Sequence, residues 1–335
     1  MTEPLWRPTP ARAAASSMEA FRRAAAEEHG LELHDYDALH AWSVGEPEAF
    51  WGFLARYLAL PFASPPRRVR SDDPMPLTRW FEGGTLSYAR ALLRPPGAPD
   101  PSAPAVVALT EGGDERVLSY AELSDLVARV QAGLERLGVG AGDHVVAFAA
   151  NVPETLALLL ACSGLGAVFA SASPDFGAEA AAARFEQLAP KALFATIGYL
   201  YGGKRFDTAG TAARLRERLG GVPAVALPYP GLDAEAPAGF TAWEAFLGAG
   251  GEPELADLPY DHPLYVLFSS GTTGAPKALV HRAGGALLTH AKELALHCDV
   301  RPGDVVLYYT TCGWMMWNWL VSALACAATV VLYDG

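Results

Sequence analysis

The sequence predicts an α/β fold in which mostly parallel sheets are flanked by helices, preceded by a helical N-terminal extension. From residue 104 onwards, short apolar segments alternate with helical ones, which is typical of buried parallel strands joined by helices. The first hundred residues instead combine helical patterns with two proline-rich breaks. Hydrophobic residues make up 51% of the 335 residues, so a large core can form.

The N-terminal region is predicted to be mainly helical. "SMEAFRRAAAEEHG" indicates a surface helix that Gly30 ends, and "EPEAFWGFLARYLAL" places Phe50, Trp51 and Leu54 at helical spacing. "SPPRRVRSDDPMP" is typical of a linker or surface loop, and "RPPGAPDPSAP" at 94–104 is a second break. We therefore expect an extension over 1–103 and a main domain over 104–335.

The main domain shows the alternation of strands and helices most clearly. Ser119 and Glu122 form a predicted capping box at the start of the helix "SYAELSDLVARVQAGLERLG", which Gly138 can end. A buried helix is predicted over "PETLALLLACSGLGAVF", starting near Pro153. Strands are predicted over "APAVVALT", "DHVVAFAA", "KALFATI", "PAVALP", "YVLFSS", "DVVLYYTT" and "TVVLYDG", and further helices over "AGGALLTHAKELALHC" and "NWLVSALACAA".

Charge and composition exclude several classes of function. The net charge of −12 argues against a nucleic-acid surface, which needs clustered Lys and Arg, and suits a dispersed cytoplasmic protein. The N-terminus lacks the order of a signal peptide, and the longest apolar run, 320–333, falls short of the roughly 20 residues that span a membrane. The cysteines are expected to be reduced core residues without a metal; they are Cys162, Cys298, Cys312 and Cys326.

The segment "LFSSGTTGAPKALVH" concentrates glycines and hydroxyls beside one lysine, directly after an apolar strand. A strand, a Gly-rich loop and a helix together predict phosphate binding. The spacing from Gly271 to Lys277 fits a Walker A loop, but Pro276 replaces the second glycine and Ala278 the hydroxyl that would bind magnesium. Dinucleotide fingerprints also fail, since Phe169 stands where "GLGAVF" needs its third glycine. A Ser/Thr/Gly turn without a ligand is the alternative.

The nine residues from Ser269 to Lys277 match [ST]-S-G-[ST]-T-G-x-P-K. This motif resembles the signature loop of the adenylate-forming enzymes, the superfamily of acyl-CoA synthetases, adenylation domains and luciferases. In that family the loop holds the β- and γ-phosphates of ATP while a carboxylate attacks the α-phosphorus. The resemblance implies a phosphate-binding set of Ser269, Ser270, Gly271, Thr272, Thr273, Gly274 and Lys277.

The resemblance covers nearly the whole chain. "AFWGFLARYLAL" and "RWFEGGTLSYARALL" resemble the extension of the acetyl-CoA synthetase branch, while "YGGKRFD" and "TTCGWMMWNWLVSALACAATVVLYDG" are most similar to acetoacetyl-CoA synthetases. The likeness implies a ligase that joins acetoacetate to CoA through acetoacetyl-AMP, releasing AMP and pyrophosphate, with ATP, Mg²⁺ and CoA as cofactors and substrates. The alternatives are a related synthetase for another short acid, or an isolated nucleotide-binding or inert fragment.

Two further segments carry expected contacts. In the acyl-pocket segment this sequence has Met and Asn where the acetate enzymes have Val, Thr and His, so the implied pocket residues are Trp314, Met315, Met316 and Asn318. A helix packing its aromatic face into the core is the alternative. In the second segment, "YGGKRFD", the residues implied to contact the CoA nucleotide are Tyr201, Gly202, Gly203, Lys204 and Arg205. A solvated surface turn is the alternative.

Several family motifs are not found in these 335 residues. They are the aromatic loop that stacks on adenine and helps hold magnesium, the ribose-binding aspartate, the hinge and the catalytic lysine of the C-terminal domain. That lysine stabilises charge as the adenylate forms. We therefore expect the 335-residue chain alone to be inactive, and the resemblance assigns it no catalytic or metal-binding residue.

Overall fold

The structure is a computed structural model that describes residues 5–97, 99–269, 274 and 276–335. Its helices are α1 (Pro10–Ala14), α2 (Ser17–His29), α3 (Tyr36–Gly45), α4 (Pro47–Tyr57), α5 (Tyr88–Leu93), α6 (Tyr120–Arg136), α7 (Pro153–Leu165), α8 (Ala178–Phe185), α9 (Ala209–Arg218), α10 (Trp243–Phe246), α11 (Ala283–Lys292) and α12 (Met315–Val321). Shorter 3₁₀ turns cover Glu186–Leu188 and Ser322–Cys326, and a π-helical turn covers Glu293–His297.

The strands of the described residues form five sheets. They are β1 (Phe62–Ser64), β2 (Arg68–Arg70), β3 (Trp80–Glu82), β4 (Thr85–Leu86), β5 (Pro104–Thr110), β6 (Glu115–Ser119), β7 (His144–Phe148), β8 (Val168–Ala172), β9 (Ala192–Thr196), β10 (Gly198–Tyr201), β11 (Lys204–Asp207), β12 (Ala224–Leu227), β13 (Phe240–Ala242), β14 (Leu258–Pro259), β15 (Pro263–Ser269), β16 (Lys277–Arg282), β17 (Val305–Leu307) and β18 (Thr329–Asp334).

A seven-stranded sheet forms the centre of the molecule. Its strand order is β13-β12-β9-β7-β8-β15-β16, and every pair is parallel except β15 with β16. Successive residues of β7 alternate between two hydrophobic clusters: Val145 packs into the cluster under α6 and α7, and Val146 into the one under α8 and α9. Both faces of the sheet are therefore buried, as continuous apolar strands predict.

A second sheet, β17-β18-β5-β6, lies beyond helices α6 and α7, with only the β5–β6 pair antiparallel. Helix α7 is buried on all sides, and Leu156 and Leu160 are fully enclosed. Its surroundings explain why its sequence is apolar all round rather than along one stripe. The predicted α/β class with mostly parallel sheets is confirmed.

Local signals fixed several helix ends. Ser119 and Glu122 make both hydrogen bonds of the capping box of α6. Gly30 ends α2 in the left-handed conformation, at φ +64°. The N-terminal helices pack on the main domain, where the backbone N–H and the hydroxyl of Ser17 both donate to Asp299. The expected division at 103/104 remains a prediction.

Three predicted elements differ from the structure. The helix expected through Phe169 ends at Leu165, because Gly166 takes a left-handed conformation and β8 begins at Val168. The linker expected over 64–76 contains β2, which pairs with β3 inside the extension. Hairpin β10–β11 stands where a loop was expected. All four residues of β11 are exposed, so the segment gave no apolar signal for a strand.

Candidate functional site

The Gly-rich loop connects two antiparallel strands rather than a strand and a helix. Ser269, the last residue of β15, pairs with Lys277, the first residue of β16. Helix α11 begins only at Ala283, after the full length of β16. The predicted strand–loop–helix order is therefore wrong at its last step, and no helix N-terminus directly follows the loop.

Three of the seven residues of the predicted phosphate-binding set lie in the described part of the chain. Ser269 is half-buried, and Gly274 and Lys277 are exposed. The other predicted loop residues lie outside the described residues: Ser270, Gly271, Thr272 and Thr273. The side-chain amide of Gln187 donates to the carbonyl oxygen of Pro276 at 2.9 Å, which connects the loop to the 3₁₀ turn that follows α8. The motif itself gave no indication of this anchor.

A cleft of about 750 Å³ lies between β16, α11 and α12. Strand β16 connects this cleft to the Gly-rich loop. The strand begins at Lys277, and its last three residues, 280–282, line the cleft. The lining residues are Val280, His281, Arg282, Gly285, Ala286, Thr289, His290, Glu293, Met315, Met316 and Trp319. Two of the four predicted pocket residues, both methionines, thus share one cavity.

The other two predicted pocket residues lie apart from the lining of this cleft. Trp314 precedes α12 and is 65% exposed. Asn318 is buried, its amide nitrogen lies 3.4 Å from the carbonyl oxygen of Trp314, and its amide oxygen has no partner among the described residues. The assignment of Asn318 to the acyl pocket therefore remains a prediction.

A buried polar cluster supports the back wall of the cleft. The Ser322 hydroxyl lies 2.8 Å from the Tyr88 hydroxyl, 2.8 Å from His290 Nδ1, and 2.8 Å from the Asn318 carbonyl, to which it donates. Burial lowers the pKa of His290 to about 4, and it also lowers the pKa of His281, which stacks on Tyr265. Both imidazoles are therefore neutral at physiological pH.

Sequence reasoning missed this cluster. His290 interrupts the apolar pattern "GGALLTHAKELAL", and a histidine in that position was the only available signal. Ser322 gave no signal, because a serine at a helix end is common. Two of its partners, Tyr88 and His290, are distant in sequence, and the third is a backbone carbonyl four residues earlier.

The predicted CoA-contact segment forms the hairpin β10–β11, directly after the carboxyl end of β9. The backbone N–H groups of Gly202 and Gly203 donate to the Glu111 carboxylate at 2.8 and 2.7 Å. Two successive N–H groups make an anion-binding concavity, and here a carboxylate fills it. Lys204 and Arg205 are exposed, as is Tyr201, so the cations of the segment are accessible while its turn is anchored.

The remaining sequence expectations have mixed outcomes. All four cysteines are free thiols; Cys162 and Cys312 are buried, but Cys298 is exposed, so the core assignment is wrong for it. Cys298 follows the π-helical turn at the surface end of α11. Within the described ranges, no cluster of three or more His, Cys, Asp or Glu could hold a metal. No helix in those ranges is long and apolar enough to cross a membrane.

Known proteins resemble this chain throughout. The acetoacetyl-coenzyme A synthetase of Rhizobium meliloti is 43% identical over 99% of this chain and 51% of its own length. The acetoacetyl-CoA synthetase of Mus musculus is 37% identical over 96% of this chain and 49% of its own. The solved structure of acetoacetyl-CoA synthetase from Streptomyces lividans superposes with a TM-score of 0.94 at 43% identity, covering all of this chain and 52% of that one.

The chain thus spans about half the length of the curated relatives it matches. Residues 36–91 match the family described as acetyl-coenzyme A synthetase N-terminus. Residues 97–335 match the family of AMP-binding enzymes, which is more than half of the chain. The resemblance predicted from the loop is confirmed, and the chain belongs to the AMP-binding enzyme family.

Proposed function

We propose that the protein is an ATP-dependent acid–thiol ligase that converts acetoacetate and CoA to acetoacetyl-CoA through acetoacetyl-AMP. The observation that carries the proposal is the direct link between the loop and the cleft. Strand β16 starts at Lys277 and reaches the cleft at Val280, three residues on. At about 3.3 Å per residue, the loop end and the cleft wall are about 10 Å apart, a span that suits the phosphates of ATP and a short acid.

The loop would hold the phosphates without help from a helix dipole. Its glycines let backbone N–H groups approach phosphate oxygens, its hydroxyls add donors, and the Lys277 ammonium adds a positive charge. An acid in the cleft presents its carboxylate to the α-phosphorus. The carboxylate oxygen forms the new P–O bond, and pyrophosphate leaves from the α-phosphorus. The thiol of CoA then attacks the acyl carbon and AMP leaves.

Mg²⁺ and CoA complete the proposal. Protein-bound Mg²⁺ commonly uses one or two carboxylates together with substrate phosphates and water, so a three-residue protein cluster is not required for an ion that arrives with ATP. For CoA, the exposed cations Lys204 and Arg205 beside an anchored turn supply the charge that its nucleotide phosphates need.

Methionine favours acetoacetate over acetate in this proposal. Met315 and Met316 line the cleft with long, adaptable side chains that can shape a pocket around a four-carbon acid. A synthetase for a different short acid is the competing candidate, and activity with a panel of acids of two to five carbons distinguishes the two.

Exchange of labelled pyrophosphate into ATP tests the adenylation step without CoA. In the full gene product, we expect exchange that depends on acetoacetate and is strongly reduced by Thr272→Ala and by Lys277→Ala. Lys204→Ala is the matched control, since it removes a cation that we assign to CoA and should leave exchange intact. Exchange at the wild-type rate in both loop variants would refute the assignment of the loop.

A further inference from the structure

The turn of hairpin β10–β11 has two backbone N–H groups that the hairpin itself does not use. Tyr201 pairs with Lys204, so Gly202 and Gly203 form a two-residue turn, and their φ angles are +59° and +71°. Two positive φ angles are typical of the type I′ turn, which glycine adopts readily. The N–H groups of these two central residues lie outside the strand ladder, so an acceptor from another part of the chain can take them.

Glu111 supplies that acceptor from a different sheet. Its carboxylate takes one hydrogen bond on each oxygen, from the N–H of Gly202 at 2.8 Å and from the N–H of Gly203 at 2.7 Å. Glu111 directly follows β5, and its own N–H donates to the carbonyl oxygen of Asp334 at the end of β18, at 3.0 Å. The contact therefore fastens the small hairpin to the second sheet.

The β5–β6 turn also packs closely on the hairpin. A Cβ at Gly112 would lie 2.9 Å from Leu200 Cδ1, so the glycine lets this side chain of β10 approach. Hydrogen bonds to an ionised acceptor are about twice as strong as those between neutral groups, and two of them on one carboxylate also fix its direction. Together these contacts fix the position at which β11 begins.

Two cations follow the fastened turn. Lys204 and Arg205 are the first residues of β11, and both are exposed. Arg205 also donates to the carbonyl oxygen of Asp233 at 3.2 Å. Because Glu111 fills the concavity made by the two glycine N–H groups, the turn has no room for a phosphate there. The groups of this segment that can meet an anionic ligand with positive charge are therefore the two side chains.

We propose that Glu111 is a positioning residue for CoA. It holds the turn of Gly202 and Gly203, so that Lys204 and Arg205 are in place before the nucleotide phosphates arrive. The inference rests on the proposed ligase activity and adds to it a residue of the second sheet that acts through the turn and contacts neither CoA nor the acid. A segment that is ordered in advance loses less freedom on binding, and this raises the affinity for CoA.

Glu111→Gln tests the role with little change in size. The glutamine amide nitrogen only donates, so it cannot replace the carboxylate oxygen that accepts from one of the two N–H groups. In the full gene product, we expect the KM for CoA to rise about two- to tenfold, the range that corresponds to ordering one flexible side chain, while kcat stays close to that of the wild type. Pyrophosphate exchange with acetoacetate runs without CoA, so it should keep its wild-type rate.

A matched variant and a nucleotide inhibitor separate this role from a general effect on the fold. Glu115→Gln removes the same charge from an exposed position of the same β5–β6 hairpin and should leave the KM for CoA unchanged. Adenosine 3′,5′-bisphosphate carries the adenosine of CoA with a phosphate at each of these positions, and no thiol. Its inhibition constant against CoA should rise in Glu111→Gln by the same factor as the KM.

The outcomes distinguish the two proposals. Neither exchange nor thioester synthesis by the wild type would overturn the proposed function and this inference with it. With an active wild type, four results overturn the inference alone: an unchanged KM for CoA in Glu111→Gln, an equal rise in Glu115→Gln, no inhibition of the wild type by the bisphosphate, or a fall in exchange as large as the fall in kcat/KM for CoA. Independently, the amides of Gly202 and Gly203 should exchange with deuterium faster in Glu111→Gln, and equal rates would contradict the role of the contact.

Discussion

Ser322→Ala should destabilise the fold far more than the loss of one surface hydroxyl would. Ser322 is fully buried and donates its one hydroxyl hydrogen to the Asn318 carbonyl, so in its contacts with the Tyr88 hydroxyl and His290 Nδ1 the serine oxygen is the acceptor. Alanine removes both acceptor sites and leaves two buried donors without a partner. Each unpaired buried group costs about 1–3 kcal/mol, so the free energy of unfolding should fall by about 2–6 kcal/mol.

A double-mutant cycle with Tyr88→Phe tests this explanation. In the wild type, Tyr88→Phe removes one donor and should cost about 1–2 kcal/mol. In Ser322→Ala, the same change removes a hydroxyl that already lacks its partner, so it should be neutral or stabilising. Urea unfolding of the 335-residue chain, followed by far-UV circular dichroism, measures all four free energies. Equal effects of Tyr88→Phe in both backgrounds would refute the reasoning.

Three further predictions follow from packing, burial and charge. Gly284→Ala would place a Cβ 2.1 Å from the ring of Tyr260 and should lower the free energy of unfolding by about 1–3 kcal/mol. In Gly285→Ala the new Cβ meets nothing within 4 Å, so this variant should stabilise α11 by about 0.5–1 kcal/mol. Thermal unfolding compares the two variants, and equal effects would be inconsistent with the packing. The pKa of His290 is about 4 in the folded protein and near 6.5 in the unfolded chain, so the unfolded chain binds the proton first as the pH falls. The free energy of unfolding should therefore drop by about 3 kcal/mol between pH 6.5 and pH 4. His290→Asn should not show this drop, and a pH profile parallel to that of the wild type would count against the assignment. Cys298 is exposed and should react with a thiol reagent in the native chain, whereas the buried Cys162 and Cys312 should react only on unfolding. Mass spectrometry of labelled peptides checks this, and fast labelling of Cys162 or Cys312 in the native chain would contradict the fold.

The parts of the fold that sequence predicts well are those set by neighbouring residues. Ser119 and Glu122 sit three positions apart and cap α6 as expected. Gly30 ends α2 because the left-handed conformation costs a glycine little. Four short apolar strands, β7, β9, β12 and β18, have observed ends within one or two residues of the predicted ones. Such signals depend only on residues close together in sequence, so the sequence is enough to predict these elements.

Apart from the end of α7, which Gly166 sets locally, the errors arose where distant residues decide the structure. The residues of β16 are mostly exposed and gave no alternation, and only pairing with β15 makes them a strand. The cleft combines Met315 and Met316 with residues of β16 and α11, and the resemblance supplied only the methionines. The role of His290 depends on Ser322, 32 positions away, and no local pattern reports such a contact.

The central claim is ligation that cleaves ATP to AMP and pyrophosphate. The most direct measurement is nucleotide and thioester analysis after incubating the full gene product with ATP, Mg²⁺, acetoacetate and CoA. The non-Walker loop from Ser269 to Lys277 predicts AMP and acetoacetyl-CoA in equal amounts, with one pyrophosphate for each. Formation of ADP and phosphate in their place would contradict it.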